Sequence, residues 1–261
     1  MTMVGIGVGG LLAAGGAYLA FVQSKKKAGF ATELKFMKAT SLAEISESFR
    51  SMDAEGLGDS YKDFVEVNGA AVTDGELKSP HNETPCAYYE ASVMREYEQM
   101  ETYTDKDGKV KTRRNKLYEN VSRDKSSSPL YIADGDTKVR IDLQGADLQL
   151  KSAATRYEPF KEERGYSFFG INFSVPTGTR TLGFRYEERI IPAGHPLYVV
   201  GEVRKSGGEL SIGQPSEKGK PFIVSVKSEE EVIGSMEGSA KTTMYFGYVL
   251  IAIGIAAAVF L

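Results

Sequence analysis

One short stretch holds the residues best suited to chemistry. SPHNETPC contains Cys86, the only cysteine in the chain, and His81, one of its two histidines, five positions apart. A thiol and an imidazole can form a nucleophile pair, but the pair also needs an orienting group and an oxyanion site. The neighbouring residues supply neither, and a lone cysteine that opens a strand is commonly a small buried hydrophobic residue. We predict no catalytic residue here and keep a Cys86/His81 hydrolase or redox enzyme as an alternative.

The other reactive side chains form no binding motif. Asp134, Asp136 and Asp142 lack the spacing of a calcium loop and fit a charged hairpin turn. A single cysteine cannot build a multi-cysteine zinc site or an internal disulfide. His195 lies in a turn between two prolines and, like His81, is not predicted to be a metal ligand. The sequence therefore predicts no metal site, no cofactor site and no cofactor.

Both ends of the chain are apolar. Residues 3–22 and 243–261 carry no charged side chain, and about 20 helical residues reach about 30 Å, the thickness of a bilayer core. The basic residues Lys25, Lys26 and Lys27 follow the first segment instead of preceding it, which favours an uncleaved anchor over a signal peptide. Cytoplasmic loops carry the lysine and arginine excess. We expect a two-pass integral membrane protein whose soluble domain faces the cytoplasm.

Small residues recur at four-residue spacing along the first span. Gly5 and Gly9 form a G-x-x-x-G, and Gly16 with Ala20 repeats the spacing. Such faces let helices approach closely. The span could therefore pair with the second span, or with another copy in a homo-oligomer, unless glycine and alanine merely fill an apolar segment.

The overall charge gives no sign of nucleic-acid binding. Lys and Arg number 32 against 35 Asp and Glu, for a net charge of −3, whereas a nucleic-acid footprint needs a basic excess. The expected partners are the membrane and an unknown protein.

Between the spans, the first pattern is helical. Ser41 and Glu44 match a capping box, and Gly56 is a plausible stop. Apolar residues at helical spacing would share one face: Leu42, Ile45, Phe49 and Met52. We predict a juxtamembrane segment, 23–60, that contains this amphipathic helix.

Residues 61–227 read as β-structure. Apolar and polar residues alternate over eight to ten short strands. Glycine-containing turns, among them those at 105–109 and 133–138, separate these strands. This predicts a mainly β (α+β) fold, a compact β-barrel or sandwich of the OB type, flanked by two transmembrane helices. Residues 228–242 are predicted to be an acidic linker or short helix before the second span.

Four motifs, taken in order, resemble one known family. They are FVEVNGAAV, LKSPHNETPCAYYEASVMREYE, SSPLYIADGDTKVRIDLQGADL and RYEERIIPAGHPLYVVGEV. Over residues 40–205 the chain resembles the GIDE domain, also called the beside-a-membrane (BAM) domain, of MULAN-type membrane E3 ubiquitin ligases. The resemblance assigns no role to its motif positions, which are Pro80, Pro85, Cys86, Tyr88, Asp134, Gly135, Gly145, Pro192, Gly194 and Gly201.

The departures from that family shape the functional expectation. In those ligases a zinc-binding RING follows the second span, whereas this sequence has one cysteine in all and no tryptophan in KLYENVS, where the pattern usually carries one. We expect a RING-less, prokaryotic relative: a membrane-anchored, non-catalytic domain for protein interaction or envelope sensing. The alternative is an E3 ligase subunit that works with a RING from another chain. In the organelle ligases the domain is believed to face the space between two membranes, which opposes the lysine argument for the cytoplasm.

Overall fold

The computed structural model describes residues 3–162, 164–206 and 208–260, with side chains described from residue 7 onward. The described helices are α1 (Met3–Ala17), a π-helical turn (Tyr18–Gln23), α2 (Ser24–Phe36), α3 (Leu42–Ala54), a 3-10 turn (Gly58–Ser60) and α4 (Glu229–Phe260). Two helices are long and apolar enough to cross a membrane, Gly7–Phe36 and Glu229–Phe260.

Strands dominate the rest of the chain and include a closed five-stranded barrel. The strands are β1 (Lys62–Thr73), β2 (Cys86–Thr104), β3 (Val110–Lys125), β4 (Leu130–Asp134), β5 (Thr137–Ile141), β6 (Asp147–Gln149), β7 (Lys151–Pro159), β8 (Tyr166–Phe168), β9 (Ile171–Phe173), β10 (Thr179–Pro192), β11 (Pro196–Ser206), β12 (Glu209–Gly213) and β13 (Ile223–Ser225). The prediction of a mainly β barrel between two apolar helices is confirmed.

The chain divides into two compact units. The first, here the helical unit, comprises the chain up to Asn68, Leu143–Leu148 and the chain from Leu197. The second, here the sheet unit, comprises Gly69–Asp142 and Gln149–Pro196.

In the helical unit, glycines bring α1 and α4 into backbone contact. A Cβ added to Gly9 would lie 2.4 Å from the Gly254 carbonyl oxygen, and one added to Gly16 would lie 2.6 Å from that of Gly247. Only glycine permits so close an approach. Of the two pairings that the sequence left open, the structure shows the first span packed on the second. For Gly5 it describes only the helical backbone, and pairing with another copy stays a prediction.

The helical unit also has a small core where the helices meet its strands. Buried residues from α2, α4, β11 and β13 form it: Ala31, Leu34, Tyr198, Val200, Ile223, Val232 and Ile233. Lys27 Nζ donates to Ser239 Oγ at 3.0 Å, and Lys35 pairs with Glu237 at 2.5 Å, so α2 is also tied to α4 by polar side chains.

Two segments differ from their sequence interpretation. Residues 228–242, predicted as a linker or short helix, are helical from Glu229 and continuous with the apolar segment. The Ser228 and Glu231 side chains exchange hydrogen bonds with each other's backbone N–H at 3.4 and 3.0 Å, which caps the helix early. Similarly, the first helix continues beyond residue 22 to Phe36. The described residues form thirteen strands, where eight to ten were predicted.

The sheet unit is built on an antiparallel sheet with the order β3-β2-β10-β7. Its hairpin pairs Glu90 with Lys125 at one end and Thr104 with Val110 at the other. Buried aromatic residues cover one face, centred on Phe184 with Tyr166, Phe168 and Tyr186. The opposite face of β2 presents Glu90, Ser92 and Met94, because successive side chains of a strand point to opposite sides.

Candidate recognition surface

Cys86 opens β2, as the sequence predicts, and its side chain is buried. Burial, reinforced by the nearby Glu188 carboxylate, raises the pKa of the thiol to about 11. A nucleophilic cysteine needs a lowered pKa and access to solvent. Cys86 is therefore a neutral thiol that packs in the core of the sheet unit at neutral pH.

Glu188 organises the loop that leads to Cys86. Its buried carboxylate accepts hydrogen bonds from Ser79 Oγ at 2.9 Å and from the His81 backbone N–H at 2.5 Å. Ser79 Oγ in turn accepts from the Thr84 N–H at 3.2 Å. The loop is thus fastened to β10 by one carboxylate, and Pro80 and Pro85 lie exposed on its outer side.

The His81 ring packs between two aromatic side chains. Its centroid lies 5.1 Å from that of Phe169 and 5.0 Å from that of Tyr186. Burial lowers the pKa of the imidazole, which favours the neutral ring. A cavity of about 40 Å³ beside it, bounded by Arg156 and Glu188 among others, has room for a water molecule but not for an organic substrate.

The remaining motif positions of the sheet unit serve the backbone or the core. Asp134 and Gly135 form the turn between β4 and β5, where Gly135 has φ +56°. Pro192 and Gly194 form the turn after β10, and the Gly194 N–H donates to the Ala71 carbonyl at 2.8 Å. Tyr88 is buried in β2.

Two motif positions belong to the helical unit, and the other eight belong to the sheet unit. Gly145 sits in a turn with φ +81° against the Gln214 side chain. Gly201 lies in β11, where an added Cβ would come within 2.9 Å of the Gly213 carbonyl oxygen and of the Ile212 and Phe222 side chains. Backbone conformation and close packing account for both glycines.

A concave surface on the sheet unit was not predicted from the sequence. This cleft, of about 750 Å³, spans β3, β2 and β10 on the face opposite the aromatic core. Its lining residues are Glu90, Ala91, Ser92, Met94, Asn120, Arg123, Asp124, Lys125, Glu187 and Arg189. The alternation of Glu90, Ser92 and Met94 along β2 is visible in the sequence. The sequence does not show which residues of β3 and β10 lie beside them, because that depends on the register of the three strands.

The cleft combines both signs of charge with two apolar residues, Ala91 and Met94. Arg189 pairs with Glu90 at 2.6 Å across β10 and β2, and the Tyr89 hydroxyl donates to Asp124 at 2.8 Å. Arg123 and Lys125 add positive charge on β3, and Met94 lies half-buried among them. A surface of this kind can bind a polar protein segment through paired charges around a flexible apolar contact.

The class of protein is a β-rich domain that lies in sequence between two apolar helices. Comparison of the sequence with known protein families identifies the family. The GIDE pattern, described as E3 ubiquitin ligase, matches residues 98–260. The chain belongs to the GIDE family.

Two curated relatives come from Arabidopsis thaliana. The E3 ubiquitin-protein ligase SPL1 is 29% identical over 128 residues, which cover 49% of this chain and 37% of that protein. The E3 ubiquitin-protein ligase SP1 is 34% identical over 109 residues, which cover 41% of this chain and 31% of that protein. The chain thus matches about a third of the length of each relative. No solved structure matches.

Proposed function

We propose that this chain is a membrane-anchored recognition domain related to E3 ubiquitin ligases, and that it binds a protein partner without catalysing a reaction itself. The two apolar helices supply the anchor, and the sheet unit supplies the binding surface. The soluble domain faces the cytoplasm, because Lys25, Lys26 and Lys27 directly follow the first apolar segment.

The observation that carries this proposal is the open cleft on β3, β2 and β10. Strand alternation places most of its charged side chains on one sheet face, namely Glu90, Arg123, Lys125, Glu187 and Arg189, and its volume exceeds what a single side chain from a partner would fill. Charge complementarity sets specificity and association rate in protein interfaces. The buried thiol of Cys86, with its raised pKa, supports binding over nucleophilic chemistry at the sequence's one candidate site.

Site-specific photocrosslinking in native membranes tests this proposal. A benzophenone side chain replaces Met94 inside the cleft, and the control carries it at Val175, an exposed apolar position of the same unit. We expect a discrete protein adduct from position 94 that position 175 does not give. Glu187→Lys should lower the yield of this adduct several-fold by reversing a cleft charge, and Glu162→Lys, an exposed position outside the cleft lining, should leave it unchanged.

Equal adducts at the two positions, or indifference to Glu187→Lys, would reject the cleft as the binding surface. The identity of a cleft-specific adduct also separates two functions. The names of the two relatives favour a second candidate, an E3 ligase subunit that works with a RING on another chain. Under that function the adduct is a ligase component, and adding ubiquitin, its activating enzyme and its conjugating enzyme modifies proteins in the purified complex.

A further inference from the structure

Two carboxyl groups and one phenol meet inside the helical unit, beside the helices that carry the apolar segments. Glu66 lies in β1, Tyr198 in β11 and Glu229 in the first turn of α4. Glu66 is 1% exposed and Tyr198 is 2% exposed. Carboxylates are rarely buried to this extent unless they are paired.

The surroundings of this group are apolar. Phe64, two residues before Glu66 on the same face of β1, packs against the core to which Tyr198 belongs. That core also contains Leu34 of α2, Ile223 of β13 and Val232 of α4. The Glu66 side chain therefore points into a cluster shared by two helices and three strands.

Two polar atoms in the group have no hydrogen-bond partner among the described residues. They are Oε2 of Glu66 and the hydroxyl of Tyr198. Glu229 lies one turn of α4 before Val232 and Ile233 of that cluster, on the side of the helix that faces Glu66, but two ionised carboxylates can only accept hydrogen bonds. A hydrogen bond between them requires that one carry a proton.

The titratable groups around Glu66 favour a proton there. Burial, and secondarily the Glu229 charge, raise the pKa of Glu66 to about 7. Burial and the charges of Glu66 and Glu229 also raise the pKa of Tyr198, which keeps its phenol protonated. Ala31 and Leu34 of α2 and Ile223 of β13 bring no charge to the cluster, and the Lys220 ammonium lies 4.4 Å from the ring centroid of Phe64, which packs against the cluster.

A metal ion fits this group poorly. Calcium takes six to eight oxygen ligands and magnesium needs an octahedral set. The described residues contain no group of three or more His, Cys, Asp or Glu side chains arranged to hold a metal. A shared proton, by contrast, needs only the two carboxyl groups as its partners.

We propose that Glu66 and Glu229 bind one proton between them, and that its release loosens the packing of α4 on the strands of the helical unit. In the protonated state one carboxyl donates a hydrogen bond to the other. On release the proton passes to solvent, and a buried Glu66 anion remains in the apolar cluster with the half-buried Glu229 anion at its edge, where they repel each other. The first turn of α4, which carries Glu229, is the element that can move away.

The direction of the stability change follows from the raised pKa. Between the ordinary glutamate pKa of 4.5 and about 7, the folded state holds a proton that the unfolded state has released. The contribution of Glu66 to folding is therefore most favourable below about pH 4.5, declines as the pH rises to about 7, and then stays level.

Infrared titration of the full chain in lipid nanodiscs tests the proton site. We expect a protonated-carboxyl band that disappears with a midpoint near neutral pH. Glu66→Gln should abolish this transition, and Glu229→Gln should shift its midpoint to lower pH. The matched control, Glu230→Gln, alters an exposed neighbour in the same helical turn and should leave the band unchanged.

Hydrogen exchange over residues 229–236, corrected for its intrinsic pH dependence, tests the movement. We expect faster exchange above the midpoint in the natural chain and no such transition in Glu66→Gln. If Glu66→Gln does not fold, Glu66→Met fills the apolar cluster without a charge and should give the same result. A Glu66 that is ionised throughout pH 5–8, or an exchange transition that survives both substitutions, would overturn the proposal.

Discussion

Arg95 is a cation held almost wholly inside the sheet unit, with a side chain 1% exposed. Its guanidinium donates to Thr181 Oγ1 at 2.8 Å and to Glu119 Oε1 at 2.7 Å, and it lies 4.4 Å from the Tyr97 ring centroid. A planar donor set over an aromatic ring is a geometry that lysine cannot reproduce. Arg95 therefore joins β2, β3 and β10 at one point.

Arg95→Lys should destabilise the sheet unit by about 1–3 kcal/mol, because the buried Thr181 hydroxyl loses its donor and the guanidinium pairing with Glu119 is lost. Thermal unfolding of the purified chain in detergent would register the change. The matched control is Arg114→Lys on the neighbouring strand, whose side chain is 64% exposed and which should change stability by less than about 0.5 kcal/mol. Equal effects at the two positions would show that the buried bonds of Arg95 contribute no special stability.

The Cys86 side chain gives a second prediction at the level of a single residue. Its buried thiol, with a pKa of about 11, should not react with a maleimide at pH 7.5 while the protein is folded. The same thiol should react fully after denaturation, which mass spectrometry can measure. Rapid labelling of the folded chain would restore the nucleophile hypothesis.

The burial of Cys86 could be predicted from its place at the start of a strand. The role of Glu188 could not, because Ser79 and Glu188 are far apart in sequence and meet only through the pairing of β2 with β10. Similarly, the alternation of β1 places Glu66 on one face of the strand but does not reveal Glu229 beside it.

Adjacent glycines in α1 differ sharply in their surroundings. A Cβ on Gly16 would lie 2.6 Å from the Gly247 carbonyl oxygen, whereas Gly15 has nothing within 4 Å. Gly16→Ala should therefore cost about 1–3 kcal/mol by forcing α1 and α4 apart. Gly15→Ala is the control and should be neutral or slightly stabilising, because alanine favours helix.

A disulfide between cysteines introduced on facing positions of α1 and α4 would report the spacing of the helices. We expect slower formation in Gly16→Ala than in Gly15→Ala. The same rate in both would contradict the glycine-mediated contact.

The N-terminus of α3 carries a complete capping box. The Ser41 hydroxyl accepts from the Glu44 N–H at 3.2 Å, and the Glu44 carboxylate accepts from the Ser41 N–H at 3.0 Å. Ser41→Ala should lower stability by about 1 kcal/mol. Ser51→Ala, within the same helix, is the control and should have little effect, as thermal unfolding can show. A loss no larger than that of the control would mean that α3 is held by its packing alone.

Features that depend on residues close together in the sequence could be predicted. Features that depend on contacts between distant parts of the chain could not. The capping box of α3 and the turns at Gly108 and Gly135 follow from neighbouring residues, and the structure confirms them. The same S-x-x-E pattern at Ser228 and Glu231 caps α4, although the acidic, glycine-containing residues that follow it favour a linker. The cleft depends on the register of three strands, which residue types alone do not determine.

At the scale of the whole molecule, alternation and turn spacing predicted the fold class, and the order of the motifs predicted the GIDE family. Hydropathy predicted two apolar helices. Barrel closure is harder to predict, because it depends on pairing between strands that are distant in the sequence. The prediction of the membrane side rests on three lysines, since Lys241 is the one basic residue in the ten positions before the second apolar segment.

The most direct test of the membrane-anchored account is the accessibility of the β2–β3 turn in intact cells. Lys106→Cys places a thiol in this exposed turn without altering Gly108, whose φ of +77° suits glycine. The natural chain is the control because Cys86 is buried. With a membrane-impermeant maleimide, we expect protection of Cys at position 106 in intact cells and labelling after lysis, which would place the domain in the cytoplasm. Labelling of intact cells would contradict that placement and put the cleft and its partner on the outer side of the membrane.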